Sequence, residues 1–327
     1  MKVLVIGASG HIGNAIVRLL LERKHSVTAC GRRKQRPANL ASLRLRYLRG
    51  DAEVPGQFDK WIAGHDLVVD AAAPYPVEAS SVANGVGGDA IARAEMRTRR
   101  LLDAVSKRDV TLVYVGSCVT LARPRTAAQQ FQTNLMRIAH PYFHVKELIE
   151  AQILDASRRG IRAVILDPAY CLGPWDLRER QYCTIPQLLK GEIPSSIDQV
   201  LHVIDVRDVA EALLSALDDE RYGEPILLSA YKMSTHHLYS FICDVAGVPA
   251  PRYSFPTEAV LLGVYGLEMA LSLAGIKTPL SSGAIMISTA FDYLEAGKEL
   301  EELDITARPL SETIADSIQW YREIGYC

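Results

Sequence analysis

The first thirteen residues constrain this chain more than any other stretch, because three glycines, Gly7, Gly10 and Gly13, separate a strand pattern from a helix pattern. Val3-Leu-Val-Ile6 is short, β-rich and apolar on both faces, as a strand covered by helices on two sides must be. From His11 to Lys24, residues Ile12, Ile16, Val17, Leu19 and Leu20 fall on one side of a helix. Glycines between these patterns let the chain leave the strand sharply, let backbone approach a pyrophosphate and let the helix pack close to the sheet. The free amides of the helix's first turn then point at the loop and can hold a phosphate. The spacing is G-x-x-G-x-x-G rather than G-x-G-x-x-G, and a strand-to-helix turn without a ligand is the competing reading.

A second strand, Ser26 to Cys30, ends at Gly31-Arg32-Arg33. An acidic residue about twenty positions past such glycines selects the free ribose hydroxyls of NAD, whereas arginine suits the extra phosphate of NADP. Arg32 and Arg33 therefore point to NADP over NAD, against the alternative of solvated loop charges. A third strand near Leu45 to Leu48 runs into Arg49-Gly50-Asp51, and a fourth, Leu67 to Asp70, into Ala71, Ala72 and Ala73. Small residues at the carboxyl end of a central strand leave room for a ligand. Residues 74 to 89 read as a loop rich in Pro, Ser and Gly. The helix from Asp89 to Arg108 carries Arg93, Arg97, Arg99 and Arg100, read as a solvated or interfacial basic face.

The fifth strand, Thr111 to Val115, ends in Gly116-Ser117-Cys118, and a helix starts at Pro141, where proline suits the first position. Tyr142 and Lys146 are then four apart on one helix face. An ammonium beside a phenol favours phenolate, and the positive helix end adds to it, so Tyr142 gains use as a proton donor or acceptor near neutral pH. Ser117 supplies a hydroxyl to the same substrate oxygen, with Thr120 as the alternative if the strand ends later. Y-x-x-x-K alone is also an ordinary helix face.

A sixth strand, Arg162 to Leu166, leads to Asp167-Pro168 and on to Gly173-Pro174-Trp175. Strands alternating with helices in this way give an α/β doubly wound parallel sheet. Beyond Pro174 the alternation breaks, with short returning strands at 201–204 and 224–229, helices at 206–217 and 235–246, and a terminal amphipathic helix from Pro309. The expected division is 1–172 for the cofactor and 173–327 mostly for a smaller substrate-binding region, with parts near 201–230 returning to the first. The apolar stretch from Ala259 to Ala274 is shorter than a spanning helix and is interrupted by Glu268, so we expect a helix packed under the substrate pocket and no stable membrane span.

A formal net charge of −2 over 327 residues offers no basic field for nucleic acid, so the expected partner is a small molecule, with the chain a monomer or homodimer. The six cysteines are scattered without metal-ligand or redox spacing, as in a cytoplasmic protein. The first strand begins too early for a secretory leader.

With Gly7, Gly10, Gly13, Asp51, Ser117, Tyr142 and Lys146 in order, the chain resembles an extended short-chain dehydrogenase/reductase of the NAD-dependent epimerase/dehydratase family. It is most similar to the dihydroflavonol-reductase-like proteins and hopanoid-associated sugar epimerases, and the likeness continues through His202-Val-Ile-Asp205 and the ending Trp320-Tyr-Arg. The resemblance implies a Rossmann fold with Tyr142 as proton donor or acceptor, Lys146 on the nicotinamide ribose and Ser117 orienting the substrate oxygen. It implies cofactor contacts at Gly7, Ser9, Gly10, His11, Ile12, Gly13, Arg32, Arg33, Asp51, Ala72, Ala73, Tyr142, Lys146 and Pro168. Three residues depart from the family pattern: Ala94 for an asparagine, Gly116 for the first of paired serines, and Asp167 for the arginine before Pro168. The leading expectation is an NADP-dependent reductase or dehydrogenase. The alternatives are a sugar-nucleotide epimerase or dehydratase with retained cofactor, in which Arg178 and Arg180 serve a diphosphate, and a non-catalytic NADP sensor.

Overall fold

The computed structural model describes residues 1–72, 86–121, 141–179, 183–273 and 294–327. The expectations for Ala73, Arg180 and most of the 74–89 loop fall outside them.

Strand β1 (Lys2–Ile6) leads into helix α1 (His11–Glu22), and β2 (Ser26–Gly31), β3 (Arg46–Arg49), helix α2 (Gln57–Ile62), β4 (Leu67–Asp70), α3 (Val86–Ser106) and β5 (Thr111–Val115) follow. Next come α4 (Pro141–Arg158), β6 (Ala163–Pro168), β7 (Tyr170–Leu172), α5 (Thr184–Leu189), β8 (Ser195–Asp198), β9 (Val200–Asp205), α6 (Val206–Asp218) and β10 (Pro225–Leu228). The chain ends with β11 (Tyr231–Ser234), α7 (Thr235–Ala246), β12 (Tyr253–Pro256), α8 (Thr257–Leu273), α9 (Lys298–Glu302) and α10 (Leu310–Glu323).

The main sheet has seven strands in the order β10-β6-β5-β4-β1-β2-β3, all parallel. It is the doubly wound sheet that the alternation predicts, enlarged by β10, which joins the edge beside β6. Because side chains alternate across a strand, Val3 and Val5 enter one core with Ile16, Leu20, Val209 and Leu213. Leu4 and Ile6 enter the other with Phe58, Trp61, Leu101, Val145 and Ile149. Helices α1 and α6 cover the first face, and α2, α3 and α4 the second. The order reverses between β1 and β4, so the loops after Ile6 and Asp70 meet at a switch point, where open α/β sheets bind ligands.

The later elements build a second layer. Strands β11, β9 and β7 form a three-stranded sheet, and Leu172, Leu188, Val203, Leu238, Ile242, Ile314, Ile318 and Tyr321 share its core. Strand β12 pairs with β8, and α8 rests on these two strands. On this helix, expected from sequence to pack under the substrate pocket, Val264 is buried, while Leu262 is 77% and Leu267 43% exposed. Among the described residues, no helix is long and apolar enough to cross a membrane.

The basic face expected on α3 is corrected at Arg97, while Arg93 and Arg99 are exposed as expected. Arg97 is 3% exposed and donates both terminal nitrogens to Asp70 at 2.7 Å, while its guanidinium lies over Phe58. A lone arginine on the stripe Ala90, Ala94, Leu101 needs an internal carboxylate, and β4 supplies it.

Candidate active site

The glycine turn lies where its sequence predicts. Gly7 has φ +85°, and a side chain there would run into the Ala71 carbonyl 2.6 Å away, so the β1 and β4 loops touch only because residue 7 has none. A Cβ at Gly13 would lie 2.2 Å from the Gly7 carbonyl oxygen. Gly10 is the N-cap of α1, has no side-chain cap, and the first turn carries no acid. That turn therefore leaves uncapped amides and a positive helix end facing the exposed Ser9 and Gly10, a cradle that fits a pyrophosphate. Ile12 follows on the half-buried side of the turn.

Two asparagines brace the turn and were not singled out from the sequence. Asn14, fully buried, donates to the Asn39 carbonyl at 3.2 Å, and Asn39 donates to the Ser9 carbonyl at 3.0 Å. The signal was an asparagine on the buried side of α1. The His11 ring lines a small cavity with Tyr170, Gly173, Asp176, Arg178 and Tyr321, and burial lowers its pKa, which favours the neutral imidazole.

Arg32 and Arg33 are exposed at the end of β2, and Arg49 sits opposite Gly31 in the strand register. The Arg33 carbonyl accepts from the Tyr47 hydroxyl at 3.0 Å. Asp51 begins the turn after β3 and accepts the Glu53 amide at 3.0 Å. Ala72 donates its amide to Asp70 at 3.2 Å, so the Arg97–Asp70 pair also shapes the loop facing Gly7. Pro168 closes β6, opposite Leu228.

Tyr142, Lys146 and Ser117 come together. Tyr142 lies in the first turn of α4, and its hydroxyl donates to Ser117 Oγ at 3.0 Å. Lys146, one turn on, donates to the Gly116 carbonyl at 3.2 Å and lies 5.6 Å from the centre of the Tyr114 ring. Of the two hydroxyls considered from the sequence, Ser117 meets the tyrosine, while Thr120 donates back to the Ser117 carbonyl at 3.0 Å. All three members of the trio are buried, with Phe143, Val119 and Leu227 around them.

Burial pushes the Lys146 ammonium down to about 8, while the carboxylates of Asp167, Asp70 and Glu150 oppose the fall. Burial first, and then Glu150, raise the Asp167 carboxyl well above its usual range. Asp167 accepts the Ser117 amide at 2.8 Å and so fixes the register of the loop. Arg178, considered from sequence either for a diphosphate or as a solvated loop charge, closes on Asp176 with nitrogens 2.6 and 3.0 Å from its oxygens.

This arrangement can pass a proton to or from an oxygen beside Tyr142. The NAD dependent epimerase/dehydratase family model matches residues 3–228. The chain is 26% identical to a putative dihydroflavonol 4-reductase of Synechocystis sp. over 98% of its length and 95% of that protein's. It is 24% identical to sterol demethylase protein B of Methylococcus capsulatus over 99% of both. The structure of a nucleoside-diphosphate-sugar epimerase from Pseudomonas aeruginosa superposes with a TM-score of 0.75 at 23% identity, covering 100% of this chain and 99% of that one.

Proposed function

Because the chain belongs to the NAD-dependent epimerase/dehydratase family, whose members are NAD(P)-dependent enzymes, we propose that it is an NADP-dependent oxidoreductase acting on a carbonyl or alcohol carbon of a small molecule. The observation that carries the reading is the buried contact between Tyr142 and Ser117, 3.0 Å, with Lys146 one helical turn away. When bound, the nicotinamide supplies or accepts the hydride. Tyr142 gives the substrate oxygen its proton in reduction and takes it back in oxidation. Ser117 holds that oxygen by a second hydrogen bond, and Lys146 stabilises the phenolate by charge and reaches the ribose. The uncapped first turn of α1 and the glycines before it hold the pyrophosphate.

Arg32 and Arg33, with Arg49 alongside and no carboxylate at the end of β2, support NADP. We assign residues 1–172 to the cofactor and 173–327 mainly to the substrate, with the stretch near 201–230 returning to the first region. Of the two cations considered for a diphosphate, Arg178 is engaged by Asp176, which supports a reductase over a sugar-nucleotide epimerase.

The test is turnover of NADPH against a panel of carbonyl compounds. Tyr142→Phe keeps the ring and the helix but removes the acidic group, and turnover should fall about a hundredfold or more with little change in NADPH affinity. Lys146→Met should weaken both. Unaltered turnover in Tyr142→Phe would remove Tyr142 from the mechanism and bring the sensor reading forward.

A further inference from the structure

The peptide unit between Gly116 and Ser117 is held at both ends. Its carbonyl accepts the Lys146 ammonium at 3.2 Å, and its amide donates to Asp167 Oδ1 at 2.8 Å. One peptide plane therefore joins the lysine of α4 to a carboxyl on β6, with Lys146, Ser117 and Asp167 all buried. Hydrogen bonds in such a chain polarise one another, and in a dry interior an amide that loses its acceptor bears the full cost of desolvation. The flanking backbone is fixed as well. The Gly116 amide donates to the Leu166 carbonyl at 2.7 Å, and Thr120 donates its amide and its hydroxyl to the Ser117 carbonyl at 3.1 and 3.0 Å. The Thr120 hydroxyl also lies 3.5 Å from Asp167 Oδ2.

We propose that Asp167 is a positioning residue of the reaction: by holding the Ser117 amide it sets the plane of the 116–117 peptide, and that plane places both the Ser117 hydroxyl beside Tyr142 and the carbonyl on which Lys146 rests. The proposal depends on the reading of Tyr142, Lys146 and Ser117 given above. Gly116 is the other half of the device. A Cβ at residue 116 would run into Asp167 Oδ1, the same oxygen that receives the Ser117 amide. Gly116 is not among the glycines at positive φ, so its missing side chain serves the carboxyl rather than a turn of the chain. Positions 116 and 167 are two of the three at which the sequence departs from the family pattern, and the contact makes them one matched change: the carboxyl occupies the space that a serine at 116 would need.

Asp167→Asn keeps an oxygen for the Ser117 amide, whereas Asp167→Ala keeps none, and three measurements use that difference. In NMR of the serine-labelled protein, with the Ser117 amide assigned by its loss in Ser117→Ala, hydrogen exchange at Ser117 should be slow in the unmodified protein and in Asp167→Asn. It should be about tenfold or more faster in Asp167→Ala, while Ser215 on α6 keeps its rate. Turnover of NADPH with a carbonyl compound should show kcat lowered about tenfold or more in Asp167→Ala, with most of the loss recovered in Asp167→Asn. Gly116→Ala should lower the melting temperature of the unmodified protein and cost much less in an Asp167→Ala background, where the oxygen it strikes is gone. A Ser117 amide that exchanges rapidly in the unmodified protein, which needs no variant to fold, would overturn the proposal. So would a Ser117 rate unmoved in Asp167→Ala, an unaltered kcat in that variant, or an equal cost of Gly116→Ala in both backgrounds. Exchange and melting need no turnover, so they decide whether Asp167 sets the peptide even if the unmodified protein reduces no carbonyl compound, a result that would count against the oxidoreductase reading instead.

Discussion

Gly10 and Gly13 stand three residues apart on the same turn, yet they meet different neighbours. A methyl at 13 would press into the Gly7 carbonyl, 2.2 Å away, so Gly13→Ala should destabilise the protein by about 2 kcal/mol or more, read as a lowered melting temperature. At residue 10 the nearest atom would be 3.3 Å from a Cβ, a contact relieved by a small shift. Gly10→Val should therefore fold and lose NADPH binding, because its side chain fills the space of the pyrophosphate. Undiminished NADPH affinity in that variant would mean the phosphate loop is misplaced. Arg32→Ala/Arg33→Ala should weaken NADPH about tenfold or more relative to NADH in a fluorescence titration, since charge-assisted bonds to a phosphate are lost and the ribose contacts are not. Equal losses for both cofactors would reject the selectivity argument. At this scale the sequence exposes residues whose partners are close in the chain or implied by a strand end: the glycines, Tyr142 with Lys146, and Ser117. The surroundings of Arg97 and Asp167 stay hidden in the sequence because each takes its meaning from a residue on another element, Asp70 in one case and the Ser117 amide in the other.

The terminal helix α10 is fastened by carboxylates as well as by its apolar side. Thr313 donates to Asp205 at 2.7 Å, Arg207 joins Asp205 to Asp316, and the Tyr321 hydroxyl lies 3.4 Å from Asp176. Burial works against the Asp176 carboxylate, but its bonds to Arg178 win and hold it down at about 2, below the ordinary value of 3.8. A depressed carboxyl stabilises the fold fully above the unfolded value and loses that contribution as pH falls through the folded one. The contribution is on the order of 2 kcal/mol at neutral pH and should disappear between about pH 4 and 2. In thermal melts, Asp176→Asn should be less stable than the unmodified protein at pH 7, with the gap narrowing through that window. A gap that does not change with pH would assign the loss to packing alone. Strands β1 to β6 lie within two residues of their sequence-predicted limits, because buried apolar runs bounded by turn residues leave little choice. Helix α2 escaped notice because six residues are too few to show a period and its N-cap, Gly56, sits at φ 74°. The β8–β12 pair escaped because Tyr253 to Pro256 are all exposed and show no alternation.

For the whole molecule, the sheet order matters more than the element count. Strand β10 lies against β6, with Pro225 opposite Ile165 and Leu228 opposite Pro168, and Val206, Val209 and Leu213 of α6 enter the same core as Val164 and Leu166. A fragment of residues 1–172 therefore lacks both the strand that covers its edge and the helix that covers one face. It should be recovered as aggregate, whereas a fragment ending at 230 should remain dispersed and bind NADPH. A cooperative melt and cofactor binding from residues 1–172 alone would refute this. The sequence marks 224–229 as a strand, but nothing local tells which edge it joins, since that depends on a parallel crossover from a distant segment. The same arrangement has a consequence for synthesis. As the chain leaves the ribosome, six strands are available long before the seventh, and the exposed edge of β6 must wait while residues 169 to 224 are translated. During that interval the nascent protein presents an unpaired parallel edge and a bare apolar face, the features that recruit chaperones or lead to misassembly. The edge of β6 gains its partner only once Pro225 to Leu228 have been made.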